Sequence, residues 1–282
     1  MKRMRPNQSD ETLPVTWGEA VAEIVDGIAA TRAADATATR AKLEGRPWRV
    51  YSRAHLLDAL HDRLALHDTD QVEAQIARFA RMRRWAALKA RWHWWRKTRK
   101  ERGADRPIAT QAEELHWLLT RTRRNERGLL TANLAVEELA RFAALVELGH
   151  RAEYLSADET TDAYTVLATA LREYCTSWAA FAHDYSVGLW ARRAQLDRRL
   201  EREQDERLAA TTQALMNDGG AWSGIAWNIT LPPSTGRFFD ALAEPGGAER
   251  HWRGPRGGWQ QRINDELTAR GATPRGLPAP PS

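Results

Sequence analysis

Helix-start signals followed by apolar stripes of helical period recur along this chain, and no convincing β pattern competes with them. Thr16 and Glu19 form a capping box that predicts a helix from Trp17, with Trp17, Val21, Ile24, Val25 and Ile28 as its buried stripe. That helix is expected to continue through the Ala/Thr-rich 31–43 and to stop at Gly45 and Pro47. Ser52 is placed to cap the next helix, whose face is Leu56, Leu57, Leu60 and Leu64. Asp68 and Gln71 open a long helix over about 70–100, and Thr110 with Glu113 opens another. A helix over about 131–148 ends at Gly149. Ser156 and Glu159 box the helix over 157–174, and Ser177 caps a long one over 178–215, halted by Asn217-Asp218-Gly219-Gly220. Trp227-Asn-Ile-Thr-Leu is the only strand-like run, and two prolines close it.

These signals predict an all-α chain: an irregular multi-helix bundle of about eight helices with a Gly/Pro-rich C-terminal tail. The expected organisation is an N-terminal helix within 1–45 packed on the bundle, a main domain over 46–243, and an irregular extension over 244–282 with a disordered end. No apolar run is long enough to span a bilayer. The basic start, Met-Lys-Arg-Met-Arg-Pro, lacks the apolar stretch of a secretory signal, so a cytoplasmic location is expected. A single cysteine, Cys175, excludes an internal disulfide framework and a Cys-rich zinc site; it reads as an inert, partly buried thiol.

Charge is uneven. The net charge is +5, yet residues 81–106 alone hold 11 basic and two acidic residues, and the rest of the chain is slightly acidic. Four of the 13 tryptophans, Trp85, Trp92, Trp94 and Trp95, lie in that segment. Trp85, Leu88, Trp92 and Trp95 recur at a 3-4-3 spacing, with Trp94 on the other side. Arg91, Trp92, Trp94, Arg96, Lys97, Arg99 and Lys100 form the candidate contact segment. Its possible roles are an acidic protein partner, nucleic-acid phosphates with base stacking, or an anionic membrane. The competing reading is a core helix whose stripe packs inward and whose charges are solvated. The mixed-sign stretch 192–207 reads as a solvated helix.

On a helical wheel, Leu134, Glu138, Arg141, Leu145 and Leu148 share one face, with Glu137, Ala140 and Glu147 opposite. Glu138 and Arg141 therefore read as a buried polar pair: either a structural ion pair or a preorganised polar site. Tyr154, Trp178, Tyr185, Trp222 and Trp227 are candidate pocket or core aromatics. Asp58, His61 and Asp62 share a helix face but lack a third segment, so no metal site is assigned. Ser177 has no nucleophile setting. No catalytic residue, cofactor or small-molecule ligand is identified.

The order of local motifs resembles the bacterial family catalogued as domain of unknown function 1266, over roughly 46–230. The resemblance rests on Trp48-Arg-Val-Tyr-Ser-Arg53-Ala-His-Leu56-Leu57-Asp-Ala-Leu60; on Glu138-Leu-Ala-Arg141 with Gly149 and Tyr154-Leu-Ser-Ala-Asp-Glu159; on Ser177-Trp178-Ala-Ala-Phe181 with Tyr185 and Gly188; and on Trp222 with Trp227. Glu138 stands where the family more usually has Asp, and an aromatic is displaced to Trp190. The resemblance implies a bacterial, soluble, helical protein and brings no assigned reaction. Taken together, these features point first to a non-enzymatic protein-interaction factor, accessory or immunity-type, in competition or stress systems. Binding of nucleic acid or membrane through 81–106, and an enzyme or toxin using Glu138 and Arg141, are the alternatives.

Overall fold

A computed structural model of the protein describes residues 13–25, 28, 34–101, 111–192, 198–244 and 258–270. Among them are twelve α-helices and no strand. They are α1 (Leu13–Ala22), α2 (Ala36–Glu44), α3 (Arg53–Ala65), α4 (His67–Arg81), α5 (Arg84–Glu101), α6 (Gln111–Arg124), α7 (Ala135–Arg151), α8 (Ala157–Tyr174), α9 (Trp178–Arg192), α10 (Arg198–Met216), α11 (Arg237–Leu242) and α12 (Gly258–Ala269).

The all-α class stands, but the expected count of about eight helices is too low. The reasons are local and physical. The expected first helix is two: α1 begins upstream of Thr16, and α2 has its own N-cap, with Asp35 accepting from the Ala38 N–H at 2.8 Å. The expected 70–100 helix is broken between Arg81 and Arg84. There the Arg123 guanidinium of α6 donates to the Met82 carbonyl at 3.1 Å, satisfying the end of α4 from outside the local sequence. Gly149 does not stop α7, which runs to Arg151. The stop is Glu153 in the left-handed region (φ 61°), while the Tyr154 and Leu155 N–H groups return to the Gly149 carbonyl. The expected 178–215 helix is represented by α9 and α10. Two short helices, α11 and α12, were not expected, and α12 falls in the stretch read as irregular. Ser52 and Ser156 cap α3 and α8 as expected, the latter as a full capping box. The expected disordered end, 271–282, and the cap at Thr110 lie outside the described residues.

The chain divides into two compact units. The first comprises 1–67, 138–178 and 212–282, and the second 68–137 and 179–211. In the first, α8 is the hub: α1, α11 and α12 pack on it, and α11 also meets α3 and α12. Asp162 of α8 is buried, and its carboxylate accepts from the Thr235 and Phe238 N–H groups at 2.6 and 3.0 Å. It thus caps the start of α11 in place of Gly236, which has no side chain to do so. Close approach sets two glycines here. A Cβ on Gly18 would lie 2.0 Å from the Tyr164 ring, and one on Gly149 would lie 2.3 Å from Leu56 Cδ2.

The second unit has its own core, built from Ile76, Phe79, Trp117, Leu119, Leu134, Val187 and Trp190 among others, with α5 packed along α6. A Cβ on Gly188 would meet Glu137 Cβ at 2.8 Å, so this glycine lets α9 lie against Glu137 within the second unit. Part of 192–207 is not simply solvated. Arg127 donates to both oxygens of Asp205 at 2.7 Å and to Glu201 at 3.0 Å, and the Trp190 indole donates to Glu201 at 2.7 Å.

Replacing Gly18 by Ala tests the α1–α8 packing. Helix propensity alone would favour alanine by about 1 kcal/mol, but the Tyr164 ring fills its place, and overpacking costs about 1–3 kcal/mol. Urea denaturation of Gly18→Ala is expected to show a lowered midpoint; a raised midpoint would refute this packing.

Candidate functional site

The α5 helix turns its large apolar residues outward. Trp85 is 83% exposed, Trp92 57%, Leu88 50% and Trp95 45%. The competing reading, in which this stripe packs inward as core, is therefore excluded. The buried side of α5 is carried by Ala87, Ala90 and Trp94, whose indole meets Phe79 edge-on at 5.7 Å. Small residues allow α5 to lie close to its neighbours, so the tightly packed face is the less hydrophobic one. Arg84, Lys89, Arg91 and Arg96 are exposed around the stripe. Arg96 lies over the Trp92 ring at 4.8 Å, a cation–π contact. Lys97, Arg99 and Lys100 belong to α5, but their side chains lie outside the described residues.

Beside this stripe, α5 and α6 leave an open cleft of about 780 Å³, lined by Leu88, Arg91, Trp92, Trp95, His116, Thr120 and Arg124. A second, of about 280 Å³, lies between Arg84, Leu88 and Arg91 of α5 and Leu119, Thr120, Arg123 and Arg124 of α6. Of its lining residues, Leu119 is buried. The arrangement offers apolar depressions rimmed by cations, with no carboxylate among the described α5 side chains from 84 to 96.

The charges of α7 are arranged differently from the wheel's division. Glu138 is buried, and Arg63 of α3 donates to it at 2.5 Å; Arg141 is partly exposed. The residues assigned to the opposite arc are buried as well. Glu137, fully buried, lies 2.9 Å from Arg192 Nε. Glu147 accepts from Arg151 Nε at 2.5 Å and from the Tyr164 hydroxyl at 3.0 Å. Burial pushes the Tyr164 hydroxyl well above its ordinary pKa, and the Glu147 carboxylate adds to that. Sequence reasoning missed Glu137 because Arg192 comes to it through the fold, as the Tyr164 hydroxyl comes to Glu147. The Glu147–Arg151 spacing was the one available local signal.

The candidate aromatics separate. Trp178, Trp222 and Trp227 come together with Trp17. Trp178 stacks on Trp222 at 5.0 Å and meets Trp227 edge-on at 4.8 Å. Each indole N–H is satisfied by a carbonyl: Trp17 by Trp227, Trp178 by Ile225, Trp222 by Ala20 and Trp227 by Cys175. A cluster so packed is a core, with its polar tips spent on backbone. Cys175 is buried at the end of α8. Tyr154 lies elsewhere in the same unit, under the Arg40 guanidinium, and Tyr185 belongs to the second unit, beside Phe181. Asp62 is largely exposed and His61 buried; among the described residues no three metal-ligating side chains are grouped.

Arg53 joins the first two motifs. It donates to the Tyr154 carbonyl, to both oxygens of Glu159 at 3.0 and 2.7 Å, and to Glu244 at 2.6 Å. Burial acts to raise the Glu159 carboxyl, but hydrogen bonds from Arg53 and the Ser156 backbone outweigh it and hold the pKa below its ordinary value. A carboxyl depressed in the folded state adds stability above its unfolded pKa of about 4.3, and that stability is lost as pH falls through the folded value. Glu159→Gln is therefore expected to lower the melting temperature at pH 7 and to flatten the acid limb of a melting-temperature profile below about pH 5. An acid limb unchanged from the native chain would refute the clamp.

The family model for "Protein of unknown function (DUF1266)" matches residues 45–227, close to the span over which the motifs align. No curated protein and no solved structure matches the chain. The ordered motifs, together with a family match over well over half its length, place this chain in the DUF1266 family.

Proposed function

We propose that this protein is a non-enzymatic interaction factor whose α5–α6 face captures an acidic, amphipathic segment of a partner protein. The observation that carries the reading is the outward stripe of Trp85, Leu88, Trp92 and Trp95. Contiguous exposed apolar surface of this kind marks binding sites on soluble proteins. Tryptophan and arginine are the residues that most often dominate interface energetics. The clefts beside the stripe suit inserted apolar side chains, and Arg84, Lys89, Arg91, Arg96, Arg123 and Arg124 suit acidic groups around them. By contrast, the motif residues Arg53, Glu138, Trp178, Trp222 and Trp227 are engaged in capping, ion pairing and packing. The setting we assign is an accessory or immunity-type role in the bacterial cytoplasm. No described helix is long and apolar enough to cross a membrane.

The test is a titration followed by tryptophan emission. The probes are a Glu/Leu amphipathic helical peptide, a single-stranded oligonucleotide and phosphatidylglycerol vesicles. The peptide is expected to bind most tightly. A Trp85→Ala/Trp92→Ala/Trp95→Ala variant is expected to keep its melting behaviour, since exposed sites change stability by about 0.5 kcal/mol or less each. It should lose peptide affinity by about tenfold or more. Tighter binding of the oligonucleotide or the vesicles, or undiminished peptide binding by the variant, would overturn the reading.

A further inference from the structure

A second feature lies in the first unit, where α8 meets α12. A cleft of about 440 Å³ opens between α8, α12 and the segment 231–236. That is the size range of small-ligand sites. Its lining includes the apolar Val166, Phe239, Trp259 and Ile263 and the polar Thr169 and Arg172. Arg172 is the unusual member. Its Nη2 donates to the Ile229 carbonyl at 2.6 Å and to the Trp227 carbonyl at 3.3 Å, and its guanidinium lies 5.7 Å from the Trp17 ring centroid. Its Nε is buried without an acceptor. Among the described residues, all its partners are neutral.

The other two arginines at this cleft are already offset. Arg262 pairs with Glu173 at 2.8 Å, and Arg270 pairs with Asp240 at 2.6 Å and with Glu266. Arg172 alone thus brings a cation without a carboxylate. Desolvating a charge that no opposite charge compensates is costly, and an anion entering the cleft relieves that cost. Burial lowers the pKa of Arg172, the direction expected of a guanidinium with no acid beside it.

We propose that this cleft binds a small organic carboxylate, with its charge at Arg172 and its short apolar body against Trp259, Phe239 and Ile263. The guanidinium supplies the charge-assisted contact. The apolar wall favours a hydrocarbon body over a fully hydrated ion such as phosphate.

Calorimetric titration of the full chain with hexanoate, acetate and inorganic phosphate tests this. Hexanoate is expected to bind at least about tenfold more tightly than either of the others. Arg172→Gln should weaken hexanoate binding by at least about tenfold. Because Arg172 also holds the 227–229 segment, that variant alone is ambiguous if it unfolds. Thr169→Trp leaves Arg172 in place and fills the cleft from an exposed position, so it is expected to fold normally and lose binding. Absence of hexanoate binding, phosphate binding as tight as hexanoate, or full binding by Thr169→Trp would each overturn the proposal.

Discussion

The constraint on which the rest of this structure depends is the burial of carboxylates along α7. Glu137, Glu138 and Glu147 are all withdrawn from water. An ionised carboxylate in that position costs several kcal/mol unless an opposite charge and hydrogen bonds meet it. The chain supplies them from separate places: Arg63 of α3 for Glu138, Arg192 of α9 for Glu137, and Arg151 with the Tyr164 hydroxyl for Glu147. The pairs with Arg63 and Arg192 and the Tyr164 hydrogen bond each tie α7 to another helix, whereas Arg151 meets Glu147 from within α7. Such a pair contributes less through its own strength than through the cost of every arrangement that breaks it.

The residues by which the chain resembles its family serve the same end. Arg53 gathers Glu159, Glu244 and the Tyr154 carbonyl, and Arg40 adds a bond to the Ala152 carbonyl, so the connection between α7 and α8 is held by two arginines. Trp178, Trp222 and Trp227 close around Trp17, with every indole N–H spent on a backbone carbonyl. Gly149 and Gly188 are where a side chain would strike Leu56 and Glu137. These motif residues explain how the fold is held. The two features from which we propose binding are other residues, those of the α5 stripe and Arg172.

Much of the fold was legible in the sequence because it is local. The Ser52 and Ser156 caps, the Asn217–Gly220 stop and the apolar stripe of α3 each follow from a few neighbouring residues. What was not legible depends on distant partners. Nothing near Met82 marks a helix end in the sequence, and its carbonyl is met by an arginine 41 residues further on. Glu138 is met by an arginine 75 residues upstream, which a helical wheel cannot supply. The wheel also assumed one wet side for α7, whereas charged residues on both arcs are buried. For α5, spacing alone left open whether the Trp85–Leu88–Trp92–Trp95 stripe faces a partner or the core, and it is the Ala87–Ala90–Trp94 side, including Trp94 of the expected contact segment, that packs. The segment was legible as an outlier, and only the structure shows which of its sides is exposed.

The central claim is that the α7 carboxylates are structural. The direct measurement is a double-mutant cycle on Arg63 and Glu138, read by urea denaturation. Removing Arg63 alone, as Arg63→Leu, should cost about 3–5 kcal/mol by leaving a buried carboxylate uncompensated. The joint Arg63→Leu/Glu138→Leu variant should recover most of that loss, since apolar replacement of a buried pair is often neutral. If Glu138→Leu alone raised stability, as expected where a fold sacrifices stability to keep a reactive group in place, the structural account of this helix would be contradicted.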